Sequence, residues 1–317
     1  MIIMIIDTKT AVTAASAGIE ICVQTLIPTL FPFLFLSALL TSSLAGTWLP
    51  MTKPLCKLLK IPNNAGTIFI NGLLGGYPVG AQCIAGAVES GSISRENGSR
   101  MLSFCSNAGP AFLFGIGSRL FSDIRFCWVA WGIQISSAIL TAMLVPPVAI
   151  ERAAESQGKK LCISGTLRKA VQSMAMICGW VILFRILLTF LQQWILWIFP
   201  AWLQVMLFGM LELTNGCYML LQIEDLSLRF VLFSMILSFG GFCVAMQTYG
   251  ICSQVKCNAY LPGKLLQALF SMLLCVILIS QEMRIPAMIM LMSILIIAKI
   301  FPFRSTKKNG NLQGSIV

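Results

Sequence analysis

The most informative segment of this chain reads Asn71-Gly72-Leu73-Leu74-Gly75-Gly76-Tyr77-Pro78-Val79-Gly80-Ala81-Gln82. It lies within an uncharged run, Ile61 to Val88, that is long enough to cross a bilayer as a helix. The centre of this run nevertheless holds a proline and several glycines, which disfavour a continuous helix. Backbone that leaves the helix at membrane depth must be buried in protein or line a cavity, because its N–H and C=O groups need partners. The segment therefore predicts a broken membrane helix.

The composition indicates a membrane protein. Of the 317 residues, 57% are hydrophobic and only 10% are charged, and the mean hydropathy is +0.87. Because about 20 apolar residues span a bilayer, we predict an all-α polytopic protein of the cell membrane, surrounded by lipid. The uncharged runs, read as full crossings or as paired half-helices, are Ile21–Thr52, Ile61–Val88, Met101–Ser118, Phe126–Ile150, Ile186–Leu211, Phe230–Val255, Leu265–Gln281 and Ile285–Ala298.

The net charge of +11 could be taken as a sign of nucleic-acid binding. The Lys and Arg residues, however, fall mostly in short connectors (residues 53–60, 152–169 and 304–308) rather than on a soluble face. An excess of basic residues in cytoplasmic loops is the simpler explanation. We expect no nucleic-acid partner, and we expect the linker 151–169 and the tail after Phe303 to be cytoplasmic.

The residue types needed for common catalytic and metal sites are missing or dispersed. The sequence has no histidine, which excludes Ser-His-Asp and Cys-His catalysis. Its 12 cysteines include no C-x-x-C pair, whereas zinc sites need clustered ligands. No Walker motif is present, so coupling to ATP would need a partner. We therefore predict a protein that is not an enzyme, with no cofactor, no metal site and no catalytic residue.

The chain divides into two halves of similar plan. We assign residues 1–150 to a first membrane repeat, 151–169 to a basic linker, 170–281 to a second repeat, and 282–317 to a final transmembrane helix and tail. Each half has a broken segment (63–89 and 202–223), followed by a hairpin (92–121 and 230–255). With both hairpins counted as re-entrant, the halves have opposite topology, and this count places the connectors Met51–Lys60, Glu224–Arg229 and Lys256–Lys264 in the cytoplasm. Inverted repeats with interrupted helices are a recurrent transporter architecture.

Glu212 is the most informative single residue, because it lies between the uncharged runs Ile186–Leu211 and Leu213–Ile223. A carboxylate within the membrane is costly unless it is paired or faces water, and is a functional candidate by default. It could bind substrate, or exchange a proton or an ion as substrate arrives. The alternative is a structural ion pair with Arg185, which also lies in the middle of a predicted span.

The other candidates also have two interpretations. The spacing Gly72-xxx-Gly76-xxx-Gly80 fits either close helix packing or a break that lines a cavity. Ser106 and Asn107 can bond a substrate or satisfy a turn. Gln82 and Gln247 can face each other across a site or form interhelical hydrogen bonds. The predicted substrate-binding set is Gly76, Tyr77, Pro78, Gly80, Gln82, Ser106, Asn107, Glu212, Thr214, Asn215, Gly240, Gly241 and Gln247.

Several short motifs follow one another along the two halves of the chain. In the first half they are Leu30-Phe31-Pro32-Phe33, Gly76-Tyr77-Pro78-Val79-Gly80-Ala81 and Ser106-Asn107-Ala108-Gly109-Pro110. In the second half they are Glu212-Leu213-Thr214-Asn215-Gly216 and Phe239-Gly240-Gly241-Phe242-Cys243-Val244-Ala245-Met246-Gln247. In this order the motifs resemble those of the YlbJ-type family of sporulation integral membrane proteins, with Cys243 at a position where the family pattern has Ser. The family belongs to the nucleoside-recognition, or Gate-domain, group, which includes the spore maturation membrane proteins.

The resemblance implies a role in sporulation, with export of dipicolinic acid from the mother cell toward the forespore as the leading activity. We accordingly expect a transporter of a small anionic metabolite, with a proton or another ion as its coupling partner, in the cell membrane or the forespore membrane. A permease for nucleoside-like solutes and a non-transporting scaffold for spore assembly are the alternatives. With each of these functions, the protein could form a homo-oligomer or a complex with another sporulation membrane protein.

Overall fold

A computed structural model describes residues 7–44, 50–148, 163–194 and 196–300. The described residues form helices joined by short connectors, without a strand. In the first half the helices are α1 (Thr8–Ile21), α2 (Ile27–Leu44), α3 (Lys53–Leu59), α4 (Gly66–Gly75), α5 (Val79–Glu89), α6 (Arg95–Cys105), α7 (Pro110–Leu120) and α8 (Arg125–Leu144). In the second half they are α9 (Ile163–Trp194), α10 (Ala201–Leu211), α11 (Leu213–Met219), α12 (Leu226–Phe239), α13 (Gly241–Ile251), α14 (Tyr260–Ile279) and α15 (Arg284–Ile300).

Five helical segments of the described chain are long and apolar enough to cross a membrane. They are Thr8–Leu36, Arg125–Leu144, Ile163–Trp194, Leu226–Ile251 and Cys257–Ile279. The first contains α1 and the part of α2 up to Leu36, and a π-helical turn at Cys22–Leu26 joins these two helices without a break. Large apolar side chains are exposed along many of these helices, as expected where lipid replaces water. The protein is an all-α, multi-pass membrane protein, as the sequence predicted.

The predicted linker lies mostly outside the described residues, as does the tail after Phe303. Residues 163–169, which we assigned to the linker, are helical, because α9 begins at Ile163. The final helix, α15, begins at Arg284, close to the expected position.

Within the residues that the structure describes, four helices are interrupted, and every break lies where glycine, proline or polar residues predicted one. The first pair of half-helices, α4 and α5, is separated by Gly76, Tyr77 and Pro78, with Gly76 at φ +79°. Residues 106–109 separate α6 from α7. Glu212 separates α10 from α11, and Gly240, at φ +85°, separates α12 from α13. In each half, two interrupted helices are followed by a long continuous one.

The direction of the chain at these breaks differs from our expectation. A Cβ atom added to Gly72 of α4 would lie 3.3 Å from Gly80 Cα of α5, and one added to Gly216 of α11 would lie 2.2 Å from Gly209 Cα of α10. Helices α4 and α5 therefore fold back on each other, as do α10 and α11. By contrast, α6 and α7 do not pack side by side, nor do α12 and α13. The fold-backs lie in residues 63–89 and 202–223, rather than in the predicted hairpins 92–121 and 230–255, because approaching glycines let these half-helices meet.

Two buried or half-buried arginines hold the connectors together at separate places. Arg100 of α6 donates to the carbonyl oxygens of Leu59, Lys60, Ala142 and Val145, at 2.8–3.2 Å. These are C-terminal carbonyls of α3 and α8, which have no helical partner of their own. Arg229 of α12 donates to the carbonyls of Ile223 and Leu120 in the same way. The end of α3 therefore lies beside the end of α8, and the end of α7 beside the start of α12.

Helix α14 packs against α6, α8 and α12. Helix α1 packs against α9, with Gly18 close to Ile182.

Candidate functional site

The breaks of the two halves meet in the interior. The Tyr77 hydroxyl donates to the carbonyl oxygens of Leu237 and Ser238, at 3.2 and 3.4 Å, at the end of α12. A Cβ atom on Gly240 would lie 2.7 Å from the Tyr77 ring, so only glycine leaves room for this contact. The Gly76 backbone meets that of Gly109 in the second break of the same half. Three of the four breaks are therefore neighbours.

The fourth break completes the arrangement. A Cβ atom on Gly241 would lie 3.2 Å from both the Gly209 carbonyl oxygen and the Leu213 backbone nitrogen. The start of α13 therefore touches the hairpin of α10 and α11 next to Glu212. A small cavity lies at this junction, lined by Leu26, Leu30, Tyr77, Ala108, Gly109, Phe112, Ile177, Val181, Glu212, Leu213, Thr214, Val244 and Gln247.

Glu212 is the one charged residue among those that line the cavity. Its side chain, 2% exposed, caps the start of α11. One carboxylate oxygen accepts from the Thr214 backbone N–H at 2.9 Å, and the other from the Asn215 backbone N–H at 2.7 Å. The Asn215 side-chain amide donates to the second oxygen at 2.6 Å. Three donors thus stabilise a buried carboxylate, with which no cationic side chain of the described residues is in direct contact.

Arg185 of α9 approaches Glu212 only through Asn215. Its guanidinium donates to the Asn215 side-chain oxygen at 2.5 Å, while the amide nitrogen of the same side chain donates to Glu212. Within the described part of the chain, the ion pair found is Arg125–Asp123, at the start of α8. The direct Glu212–Arg185 pair that we had considered is therefore replaced by an amide bridge. Glu212 still faces the cavity. Arg185, held on the far side of Asn215, is a more distant counter-charge for the Glu212 carboxylate.

Two half-helices begin at the same cavity. Helix α7 starts after Gly109 and helix α13 after Gly240, and neither N-terminus has a side-chain cap. Gly109 and Phe112 of α7, and Val244 of α13, line the cavity. Helix N-termini carry a partial positive charge that favours anions. The cavity thus combines one carboxylate with two N-termini that no side chain in the described part of the chain caps.

The structure brings together part of the predicted site. Tyr77, Glu212, Thr214 and Gln247 line the cavity. Gln247 is 3% exposed, and its amide contacts Cys243 Sγ at 3.5 Å. The backbones of Gly76, Pro78, Gly240 and Gly241 shape the breaks, and Gly80 packs against the Cys105 carbonyl.

Gln82, Ser106 and Asn107 are predicted residues whose side chains lie away from the cavity lining. Gln82 donates to the Ser173 hydroxyl of α9 at 2.7 Å, which fits the interhelical hydrogen bond rather than a place opposite Gln247. Ser106 and Asn107 are fully buried, and the Ser106 backbone carbonyl accepts from Lys264. Asn107 donates to the Phe104 carbonyl at 2.8 Å and accepts from Gln267 at 2.7 Å. These bonds agree with its interpretation as a residue that satisfies the turn.

Sequence reasoning missed the side chains that bind this turn. Lys264 of α14 is fully buried, although we had counted it with the cytoplasmic connector 256–264. Its ammonium donates to the Ser106 carbonyl at 2.7 Å and to Gln267 Oε1 at 2.6 Å. Gln134 of α8 donates to the Ala108 carbonyl at 3.0 Å. The available signal was a lysine and a glutamine three residues apart in an apolar helix, a spacing that puts both on one face.

Comparison with known proteins finds similarity to a sporulation membrane protein. The chain is 24% identical, over 268 residues, to the sporulation integral membrane protein YlbJ of Bacillus subtilis (strain 168). The chain resembles the YlbJ-type membrane proteins. The aligned region covers 70% of this chain and 65% of YlbJ, so the chain spans slightly less than two thirds of that relative's length. No family model and no solved structure matches the chain.

Proposed function

We propose that the protein is a secondary transporter of a small anionic metabolite, with dipicolinic acid as the leading substrate, and that it is not an enzyme. The observation that carries this proposal is the cavity where the four breaks meet, lined by Tyr77, Glu212, Thr214 and Gln247. Broken helices that meet around a central cavity are how many secondary transporters bind their substrates. The similarity to a sporulation membrane protein supports the choice of substrate, because the resemblance to the YlbJ-type family implies export of dipicolinic acid.

The charges around the cavity favour coupled movement. The N-termini of α7 and α13 would attract the carboxylates of the substrate, whereas Glu212 would repel them. Neutralising Glu212 with a proton removes this repulsion, so the anion and the proton would bind together. The coupling ion that we propose is therefore a proton carried by Glu212, with Arg185 held close by through Asn215.

We also propose that the two halves are inverted repeats and that the fold-backs α4–α5 and α10–α11 are re-entrant. Each half then crosses the membrane three times, and an odd number of crossings reverses the orientation of the second half. The acidic connector Glu224–Arg229, which our sequence count had placed in the cytoplasm, becomes external. The basic connector around Lys256 stays cytoplasmic. Both positions agree with the excess of basic residues in cytoplasmic loops, and the separate clusters around Arg100 and Arg229 support two opposite faces.

A permease for a neutral, nucleoside-like solute is the second candidate. It is favoured by the absence of Lys and Arg among the residues that line the cavity. A neutral solute would need no proton on Glu212 and could bond the Glu212 carboxylate and the Gln247 amide directly.

Reconstitution into liposomes tests the proposal. With terbium trapped inside, entry of dipicolinate produces sensitised luminescence, and uptake of radiolabelled uridine can be measured in parallel. We expect dipicolinate uptake above protein-free liposomes, faster when the outside is more acidic than the inside. Uptake of uridine alone would favour the second candidate, and uptake of neither would favour a scaffold. In the host, deletion of the gene should lower the dipicolinic acid content of spores, and normal content would exclude this substrate.

A further inference from the structure

Lys264 provides the structure with a buried amino group that the proposed transport mechanism does not use. Its side chain is fully buried. The ammonium contacts three oxygens: the Ser106 carbonyl at 2.7 Å, Gln267 Oε1 at 2.6 Å and, more weakly, Asn107 Oδ1 at 3.4 Å. It also lies 5.2 Å from the centre of the Tyr77 ring. None of these partners is charged, although a buried cation usually pairs with a carboxylate.

The partners form the type of oxygen shell that holds a metal cation in a broken membrane helix. Such sites use carbonyls of the unwound backbone and the C-terminal end of a half-helix. Here α6 ends at Cys105, and the Ser106 carbonyl belongs to the unwound segment that follows. The negative end of the α6 dipole favours a cation at this place. An ammonium has three N–H donors, and Lys264 has three oxygen partners, so its bonding capacity is filled.

The same contacts fix the segment that forms one wall of the cavity. Lys264 binds the backbone of Ser106, Gln267 binds the side chain of Asn107, and Gln134 binds the Ala108 carbonyl. The two residues that follow Asn107, Ala108 and Gly109, line the cavity. The Tyr77 ring connects the two regions directly, because it lines the cavity and also contacts the ammonium.

We propose that Lys264 is a tethered cation that fills the ion site of the α6–α7 break, so that the protein needs no bound Na⁺ or K⁺. Lys264 is thus a positioning residue: it holds residues 106–109 in the conformation that shapes the cavity, and it does not contact substrate. The transport part of this inference rests on the proposed function. The part about stability does not, because the ammonium stabilises the α6–α7 break whichever solute the protein transports.

The test compares unfolding midpoints of the purified full-length protein in NaCl, KCl, LiCl and choline chloride at one ionic strength. We expect the same midpoint for the parent in all four salts. Lys264→Ala should unfold at a temperature lower by roughly 5 °C in choline, because it leaves the carbonyl and amide oxygens without a cation. Na⁺ or added methylammonium, which are small enough for the vacated space, should restore part of that loss, whereas choline should not.

Two further variants make the comparison specific. In Lys264→Met, the side chain fills the space without a charge, so the midpoint should fall and no cation should restore it. Lys256→Ala removes an exposed lysine from the preceding connector and should leave the midpoint unchanged. A parent that is stabilised by Na⁺ over choline would overturn the inference, as would a Lys264→Ala variant that responds equally to every cation. If Lys264→Ala does not accumulate, the unfolding midpoints of the parent in the four salts, together with those of Lys264→Met, test the inference.

Uptake measurements separate this inference from the proposed function. If the parent transports substrate, replacing all Na⁺ and K⁺ by choline should leave the initial rate unchanged, and a strict Na⁺ requirement would contradict the tethered cation. If the parent transports nothing, the proposed function fails, and the unfolding series still tests the role of Lys264.

Discussion

At the scale of single residues, the site is built from polar side chains that form almost all their hydrogen bonds with other groups of the protein. Glu212 accepts from the backbone of the helix that it starts, and Asn215 bonds Glu212 and Arg185 with the two ends of one amide. The N-terminus of α11 is thus occupied by the carboxylate of Glu212 itself. The substrate would therefore use the N-termini of α7 and α13. In the proposed mechanism, the Glu212 carboxylate then carries the coupling proton.

Replacing Glu212 by Gln tests this role. The amide nitrogen of Gln cannot accept from Asn215, so the cap weakens by about 1 kcal/mol, and the variant should still insert and accumulate. Dipicolinate uptake by the parent should rise as the external pH falls, whereas uptake by Glu212→Gln should be lower and independent of pH. Glu89→Gln, at an exposed position, serves as the control and should behave as the parent. Parental pH dependence in Glu212→Gln would refute the proton role, and failure to accumulate would indicate a structural one.

At the scale of helices, the fold-backs depend on close backbone contact. A Cβ atom on Gly72 would lie 1.9 Å from the Cys105 carbonyl oxygen, which belongs to the end of α6. The α4–α5 hairpin therefore packs closely against the end of α6, next to the break at residues 106–109. The sequence spacing Gly72-xxx-Gly76-xxx-Gly80 supported two interpretations, packing and a break. Both hold here, since Gly72 and Gly80 pack against Cys105 while Gly76 lies in the break itself.

A matched pair of substitutions in this hairpin measures the contact. Gly72→Ala forces α4 away from α6 and should lower the free energy of unfolding by at least 2 kcal/mol, on the order expected for overpacking. Gly86→Ala, in α5, adds a methyl group that meets no atom within 4 Å, so it should change stability by about 1 kcal/mol or less. Unfolding midpoints of the two variants, measured in the same detergent, check the difference. Equal effects would mean that the hairpin is not packed against Cys105.

At the scale of the whole molecule, the sequence predicted the class and the positions of the breaks. Glycine, proline and isolated polar residues in uncharged runs mark where a helix stops, and this is a local property. The direction that the chain takes after each break is not local: it depends on whether two half-helices can approach, as Gly209 and Gly216 allow. Lys264 was assigned to a connector for the same reason, because its burial arises from α6, which is distant in sequence.

Cysteine labelling tests the proposed topology. Ser227 and Ser253 are exposed at opposite ends of the α12–α13 segment, so a full crossing places them on different sides. In a background without native cysteines, Ser227→Cys should react with a membrane-impermeant thiol reagent in intact cells, and Ser253→Cys should not. Cysteine at Ser156 or Asn309, outside the described residues, should also be protected. Labelling of both Ser227→Cys and Ser253→Cys would contradict a single crossing.

The glycine contacts also limit how this sequence can diverge. At Gly72, Gly80 and Gly216, an added side chain would meet backbone atoms of a neighbouring helix. A backbone atom is present whatever residue occupies the position, so no second mutation can relieve the clash. At Gly117 the nearest atom is instead the Cys127 side chain, and a smaller residue there would make room. Descendants of this sequence are therefore expected to retain the first group and to exchange positions 117 and 127 only as a pair.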